Sequence, residues 1–464
     1  MTANGISAAQ AAWRRGRVGR VSGRGAGYLA ALGITVLLPL FLLHVRAGAE
    51  AAVDAVAALF LLRSALDRDW AWLRRDWVAV GLLWWAWTAT CTVLAVWGDL
   101  GGALGHVAPV GALGHVAPVG ALGHVVQAGL VVRFLVFTAA LERWVLRDGR
   151  ARGYLLASLS VAALWVAGNC VLQFLTGRNL AGYPRWGDGE LTGPFRGPRA
   201  APTLVRLLFP TALPAAVGLL ERWPGRKGRL GAAAIVVGGM AVIVLIGQRM
   251  PVLLAGLGLV VAGVMLRRVR GMAIAALIAG AALIGASAVV SPPTFYRLVT
   301  KFSRQVEAFP DSPYGQIAAR SVEMARQNPW TGLGFNGFQV HCPDLRYQHG
   351  WRWPAYPGDD GGGAAMCVTH PHSFYLQALT DAGLPGLAGF AWLVGLWLRR
   401  LARGLWRHPD PLRVGLLVAI LIQVWPAAST SPLVSLPMGG WFFLTLGLGL
   451  AAAEAARRAG GGSP

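Results

Sequence analysis

Cys367-Val368-Thr369-His370-Pro371-His372-Ser373-Phe374-Tyr375-Leu376-Gln377-Ala378-Leu379-Thr380-Asp381-Ala382-Gly383-Leu384-Pro385-Gly386 is the stretch where the one large polar loop of an apolar chain turns back into a hydrophobic helix. Two imidazoles one residue apart at such a boundary can face a water-filled cleft while the helix behind them holds their position. That is the placement a general base needs. A histidine at a loop–helix junction is more often a structural hydrogen-bonder, so the case for His370 and His372 depends on what surrounds them.

The rest of the chain sets those surroundings. Of its 464 residues, 55% are hydrophobic, only 13% are charged and 20 are tryptophan; this composition makes the bilayer the main solvent. The net charge of +22 would point to nucleic acid in a soluble protein. Here, however, Lys and Arg fall in short clusters between apolar runs, the pattern of topology signals and not of a phosphate-binding face. The basic start, from Arg14 to Arg24, leads into an apolar segment with no small-residue cleavage site, so it reads as a first membrane span.

Windows of about 20 apolar residues, enough to cross roughly 30 Å of hydrocarbon, fall near 27–45, 48–65, 77–97, 125–146, 153–175, 201–220, 230–246, 251–266, 271–291, 373–398, 412–428 and 433–453. The fold class expected is all-α, a polytopic integral membrane protein with about twelve transmembrane helices. A basic tail over 1–26 precedes helices one to nine over 27–291. A long loop over 292–372 follows, then the last three helices over 373–453 and a tail over 454–464. Arginines recur after every second helix: Arg63 to Arg75, Arg147 to Arg152, Arg222 to Arg229, Arg267 to Arg270, Arg399 to Arg407, and Arg457 with Arg458. The positive-inside rule assigns these segments and both termini to the cytoplasm, and the long loop to the opposite side.

Several other features offer chemistry. The nonapeptide Gly-Ala-Leu-Gly-His-Val-Ala-Pro-Val starts at Gly102, Gly111 and Gly120, with the third copy degenerating after Val125. Its His106, His115 and His124 read as part of a low-complexity loop before they read as a metal site. Arg133, at bilayer depth, calls for a carboxylate or carbonyl partner. In the long loop, Asp311-Ser312-Pro313 predicts the start of a short amphipathic helix and Asn328-Pro329 its end near Gln327, with Ile317, Met324 and Ala325 on one side. Arg249 sits in a hairpin too short to leave the membrane surface, and Arg196 and Arg199 enter helix six from the same side. Guanidinium forks suit phosphate oxygens, or else lipid headgroups. Arg320 on the loop helix is a further candidate. Cys342 and Cys367 bracket the loop in a compartment where disulfides persist; a bridge would close about 25 residues and contribute roughly 3 kcal/mol of loop entropy. The alternative joins both cysteines to His370 and His372 in a zinc site.

His372-Ser373, then nine residues, then Gly383-Leu384-Pro385-Gly386 resembles the signature of the O-antigen ligase and polymerase superfamily, and the phrase Cys-x-Thr-His-Pro-His-Ser-x-Tyr-Leu-Gln is similar to its proteobacterial ligase-like branch. Three echoes occur in family order: Leu191-Thr192-Gly193-Pro194-Phe195, Gly247-Gln248-Arg249-Met250, and Arg320 followed by Asn328-Pro329-Trp330-Thr331-Gly332-Leu333-Gly334. The resemblance covers about 190 to 390. It implies a metal-independent, cofactor-free glycosyltransferase of GT-C-like architecture in the bacterial inner membrane, with its site facing the periplasm. The donor would be a glycan on undecaprenyl diphosphate, and the acceptor a sugar hydroxyl of lipid A–core for a ligase or of another lipid-linked glycan for a polymerase. The foremost reading is the ligase. His372 would be the base and Arg249 would hold the diphosphate, with Arg196, Arg199, His370 and Arg320 binding substrate. Glu190 departs from the family, which often has a basic residue there. A transporter also commonly has twelve helices, but it calls for symmetric halves and helices broken near the midplane; the one long loop breaks that symmetry.

Overall fold

The computed structural model of the chain describes residues 25–102, 121–187, 189–348, 368, 370–428 and 431–460. Among these residues the fold is all α, with no strand and two isolated β-bridges, Arg178 to Pro184 and Trp186 to Glu190. A helix lies in every apolar window the sequence marks. They are α1 Ala26–His44, α2 Arg46–Leu66, α3 Asp76–Gly102, then α4 Ala121–Leu130 and α5 Val132–Ala140 within one window, α6 Gly149–Thr176, α7 Ala200–Arg222, α8 Arg226–Ile246, α9 Arg249–Met265 and α10 Arg270–Val290. The segment expected as a long loop carries α11 Pro292–Phe295, α12 Lys301–Glu307, α13 Pro313–Gln327 and α14 Gly337–His341. The chain then completes the bundle with α15 Phe374–Ala402, α16 Pro411–Gln423 and α17 Met438–Gly460.

Nine helical segments among the described residues are long and apolar enough to cross a membrane, by length and composition. Helices α9 and α16 are apolar but shorter, and α2 carries Arg46, Glu50, Asp54 and Arg63 within its 21 residues. Leu83, Leu164, Leu175, Ile278 and Val289 stand exposed on the outer faces of the spans. An all-α membrane protein puts such side chains against lipid, since hydrocarbon replaces water as their solvent. The most enclosed span is α17, with 89% of its apolar window buried, whereas the span containing α10 has 22%. Helix α17 is therefore central and α10 peripheral.

Helix α17 also runs past the expected end near 453 to Gly460. Glu454, nearly buried, accepts from Arg457 at 2.8 Å and Arg458 at 3.3 Å and pairs with Arg75 at 3.2 Å. These bonds hold the last turns in the helix, where apolar periodicity alone would stop. Nearby, Arg400 pairs with Asp76 at 2.6 Å, and the Trp77 indole donates to Glu142 at 3.0 Å. This ionic girdle closes one end of the bundle. From Met438 to Glu454 helix α17 rises about 24 Å at 1.5 Å per residue, so the end containing Met438 lies most of a hydrocarbon thickness away.

The long segment folds as the sequence predicts around α13. Ser312 caps it, its hydroxyl accepting from Gly315 N–H at 3.1 Å, with Pro313 in the first turn. Ile317, Met324 and Ala325 are buried, and Ile317 and Met324 join Phe338, Cys342 and Tyr347 in a small satellite core. The repeat behaves differently from a continuous loop: α3 extends to Gly102 and α4 begins at Ala121, placing His124 on a helix. His106 and His115 lie outside the described residues.

Candidate active site

The organising stretch is held in place by its neighbours. Helix α15 starts at Phe374; the Ser373 hydroxyl donates to Pro426 O at 3.1 Å and the Tyr375 hydroxyl to Val424 O at 3.0 Å, fixing the helix start to the turn after α16. Further on, α15 breaks at Ala382 and Gly383, where Gly383 has φ of 66°. A Cβ there would stand 2.6 Å from Pro329 O and from Trp330 O. The break is clamped by the turn after α13: Leu384 N–H donates to Pro329 O at 2.8 Å, Leu333 N–H to Thr380 O at 2.8 Å and Gly334 N–H to Asp381 O at 3.0 Å. The Asp381 carboxylate accepts from Gly337 N–H at 3.1 Å. The glycine spacing of the motif thus serves a backbone-on-backbone clamp that seats α13 and α14 on α15.

Immediately before α15, His372 has φ of 54°, a left-handed conformation that costs a non-glycine residue about 1–3 kcal/mol. Its ring centroid is 4.3 Å from that of His370 and 5.3 Å from that of Tyr314, the latter edge-on. Burial pushes the His372 imidazole down to about 4. Burial, reinforced by the neighbouring His372, pushes His370 down to about 3. Both rings are therefore neutral near pH 7, the form that accepts a proton.

His370 and His372 line a cavity of about 1500 Å³. Arg249 and Arg199 line it too, and so do Arg206, Arg297 and Lys301. Two segments bring these cations in. Gly247, with φ of 80°, ends α8 so that α9 can begin at Arg249 two residues later. The Ile246 carbonyl, left over at that helix end, accepts from Leu191 N–H at 3.3 Å and from Arg297 at 3.4 Å. The Thr192-Gly193 backbone is in turn fixed by Gln173, whose side-chain oxygen accepts from both N–H groups at 2.8 and 3.2 Å. That segment leads to Arg199 at the head of α7.

Among the described residues, Arg199, Arg206 and Arg249 have no carboxylate partner. Arg249 donates to the Gln305 side chain. Arg206 is 4% exposed, one turn and a half into an apolar helix, and donates to Gln423 at 2.7 Å, Pro202 O at 2.9 Å and Met438 Sδ at 2.6 Å. A guanidinium held by neutral acceptors at that depth retains its full charge for a ligand in the cavity. Glu190 pairs with Arg297 at 3.5 Å, so a cation stands beside the position where the sequence departs from the family pattern.

The structure does not bring every expected residue together. Arg196 is exposed and outside the cavity lining. Arg320 is buried and also outside it, donating to Cys342 O at 3.3 Å and Cys342 Sγ at 3.0 Å. It braces the satellite core. Cys342 is disulfide-bonded, which removes it from a zinc set; its expected partner Cys367 lies outside the described residues. Among the described residues no group of three or more His, Cys, Asp or Glu side chains is placed to hold a metal. Arg133 finds the carboxylates its depth demanded, Asp54 and Glu50. Arg206, Arg297, Lys301 and Tyr314 were not singled out from the sequence. Arg206 carries a usable signal, a lone cation inside the apolar run 201–220; Arg297 and Lys301 sit on a stretch without periodicity, and Tyr314, in the first turn of α13, has no charge or motif to mark it.

These features define a class: a multi-pass α-helical membrane protein whose helices close around one large cavity at a single end of the bundle, lined by a neutral imidazole pair and several guanidiniums. Residues 232–391, about a third of the chain, match the family model described as O-Antigen ligase, and the match supports membership of that family. The matched span contains Arg249, the α13 clamp and His372. No curated protein matches the chain.

Proposed function

We propose that the protein is an O-antigen ligase, transferring a glycan from undecaprenyl diphosphate to a sugar hydroxyl of lipid A–core at the periplasmic face of the inner membrane. The observation that carries this is the meeting of His372 with Arg199, Arg206 and Arg249 in one cavity, from segments far apart in sequence. In the reaction the acceptor hydroxyl oxygen attacks the anomeric carbon and its proton passes to His372. The bond from that carbon to the diphosphate oxygen breaks, and the leaving diphosphate takes the electron pair. Negative charge then grows on the diphosphate, where fixed cations without carboxylate partners stabilise it most. His372 returns its proton to water after product leaves.

The twelve-helix, GT-C-like plan fits this reading, with α2, α9 and α16 completing the count beside the nine longer segments. So does the orientation: the arginine-rich girdle at the Glu454 end accords with a cytoplasmic side, which puts the cavity on the periplasmic side. Deleting the gene and resolving lipopolysaccharide on a gel tests the function. A ligase predicts loss of all capped species with accumulation of lipid-linked polymer. Caps of a single repeat would identify a polymerase instead, and an unchanged pattern would contradict both.

A further inference from the structure

One wall of the cavity takes no part in the chemistry above. Arg46 and Glu50 on α2, Gln127 on α4 and Arg133 on α5 all line it. Arg133 donates through Nη1 to the two carboxylate oxygens of Asp54 at 3.2 and 3.1 Å, and through Nη2 to Glu50 at 3.4 Å. Arg46 Nε donates to Glu50 at 3.3 Å. Arg133 Nε is buried and makes no hydrogen bond among the described residues. Gln127 accepts from Asn336 at 3.4 Å, which joins this wall to the turn after Gly334; Asn336 and Gln339 line the cavity as well.

The electrostatics differ from those of the wall built by α7, α9 and α12. There the guanidiniums of Arg199, Arg206 and Arg249 lack carboxylates; here two guanidiniums face two carboxylates and the charges cancel. An anion approaching this wall meets Glu50 along with the cations, and Asp54, outside the cavity lining, offsets the charge of Arg133 further, so the anion gains no net attraction. A sugar hydroxyl both donates and accepts, so it can bond to a carboxylate, a guanidinium and an amide in turn. We infer that this wall is the acceptor site, holding an uncharged sugar ring by its hydroxyls through Glu50, Gln127 and Arg133, and that it does not read phosphate. The inference rests on the sugar-transfer reading. It adds a division of the cavity into an anion-binding side and a hydroxyl-binding side, with the His372 imidazole sharing the space.

The test uses the full-length protein in lipid nanodiscs, a glycan on undecaprenyl diphosphate as donor, and deacylated lipid A–core oligosaccharide as acceptor, with its phosphates intact or chemically removed. Removing a charge-assisted acceptor of a hydroxyl proton, Glu50→Gln, is expected to raise the acceptor KM about tenfold or more while leaving the donor KM unchanged. Gln127→Ala, which disturbs no ion pair, is expected to raise the acceptor KM alone and serves where Glu50→Gln does not fold. Removing the acceptor's phosphates is expected to leave the wild-type KM as it was. An acceptor KM indifferent to Gln127→Ala and to any folded Glu50→Gln, a donor KM that rises in step, or an acceptor KM that climbs when phosphate is removed would each overturn the assignment. A wild-type protein that transfers no glycan would instead overturn the transfer reading itself.

Discussion

His372 combines a backbone in the left-handed region with a ring flanked by His370 and Tyr314. Strain of this kind persists only where surrounding contacts over-determine it, and it clusters at sites that do chemistry. Replacing His372 by alanine should lower transfer by about 10²–10⁴-fold, the usual contribution of a positioned base, with donor binding retained. The depressed titration adds a second expectation. An ordinary imidazole is half protonated at 6.5, but His372 is not protonated until about 4. A pH profile of kcat/KM should therefore keep its plateau through pH 6 and fall only toward pH 4. The sign for stability follows from the same numbers. Below 6.5 the unfolded chain binds protons that native His370 and His372 refuse down to about 3 and about 4, so stability falls as pH falls through that window. Thermal unfolding in nanodiscs at pH 7 and pH 5 should show the lower midpoint at pH 5, and His372→Gln should reduce the difference. Arg206→Gln should raise the donor KM without preventing folding, because glutamine still reaches neutral partners. An unchanged donor KM would remove Arg206 from the diphosphate side.

At the scale of elements, much was legible. Apolar runs located the helices because each span must satisfy its own backbone in lipid. Ser312-Pro313 locates the start of α13 because the serine hydroxyl accepts from one unpaired first-turn N–H, that of Gly315, and proline at the first helical position has no N–H to leave unpaired. What the chain could not disclose was side-chain direction. Arg196 and Arg199 are three residues apart, yet only Arg199 at the head of α7 lines the cavity. Arg320 has the charge of a ligand residue but points at Cys342. Arg206 stands out in its apolar run as a lone cation, but nothing in that run marks which face meets the cavity. The Gly383 motif was readable as a pattern, while its cause, contact with the Pro329–Trp330 backbone, is a tertiary fact. Gly383→Ala adds a methyl where two carbonyl oxygens leave no room and forces a positive φ on alanine. It should lower the unfolding midpoint and loosen α13, a cost of about 1–3 kcal/mol. Faster hydrogen exchange over 313–341 would report it.

Across the whole molecule the two ends of the bundle have opposite characters. One end is stitched by Arg75, Arg400, Arg457 and Arg458 to Asp76, Glu142 and Glu454. The other opens into the cavity where, among the described residues, Arg199, Arg206 and Arg249 lack carboxylate partners on one side and Arg46 and Arg133 are charge-paired on the other. An enzyme that takes a lipid-borne substrate needs that asymmetry, since its chemistry must sit at one membrane face. Cysteine placed at exposed Val340 should react with a membrane-impermeant maleimide from the periplasm, whereas cysteine at exposed Trp406 should react only after the inner membrane is breached. The reverse pattern would invert the topology. The central claim is that His372, on the acceptor hydroxyl, and Arg249, on the donor diphosphate, serve one reaction in one cavity, and its most direct measurement is glycan transfer by purified protein in nanodiscs from undecaprenyl diphosphate-linked donor to lipid A–core. Transfer by the wild type, its loss in both His372→Ala and Arg249→Ala, and weakened donor binding in Arg249→Ala alone are the predicted results; full activity in folded His372→Ala would contradict the account.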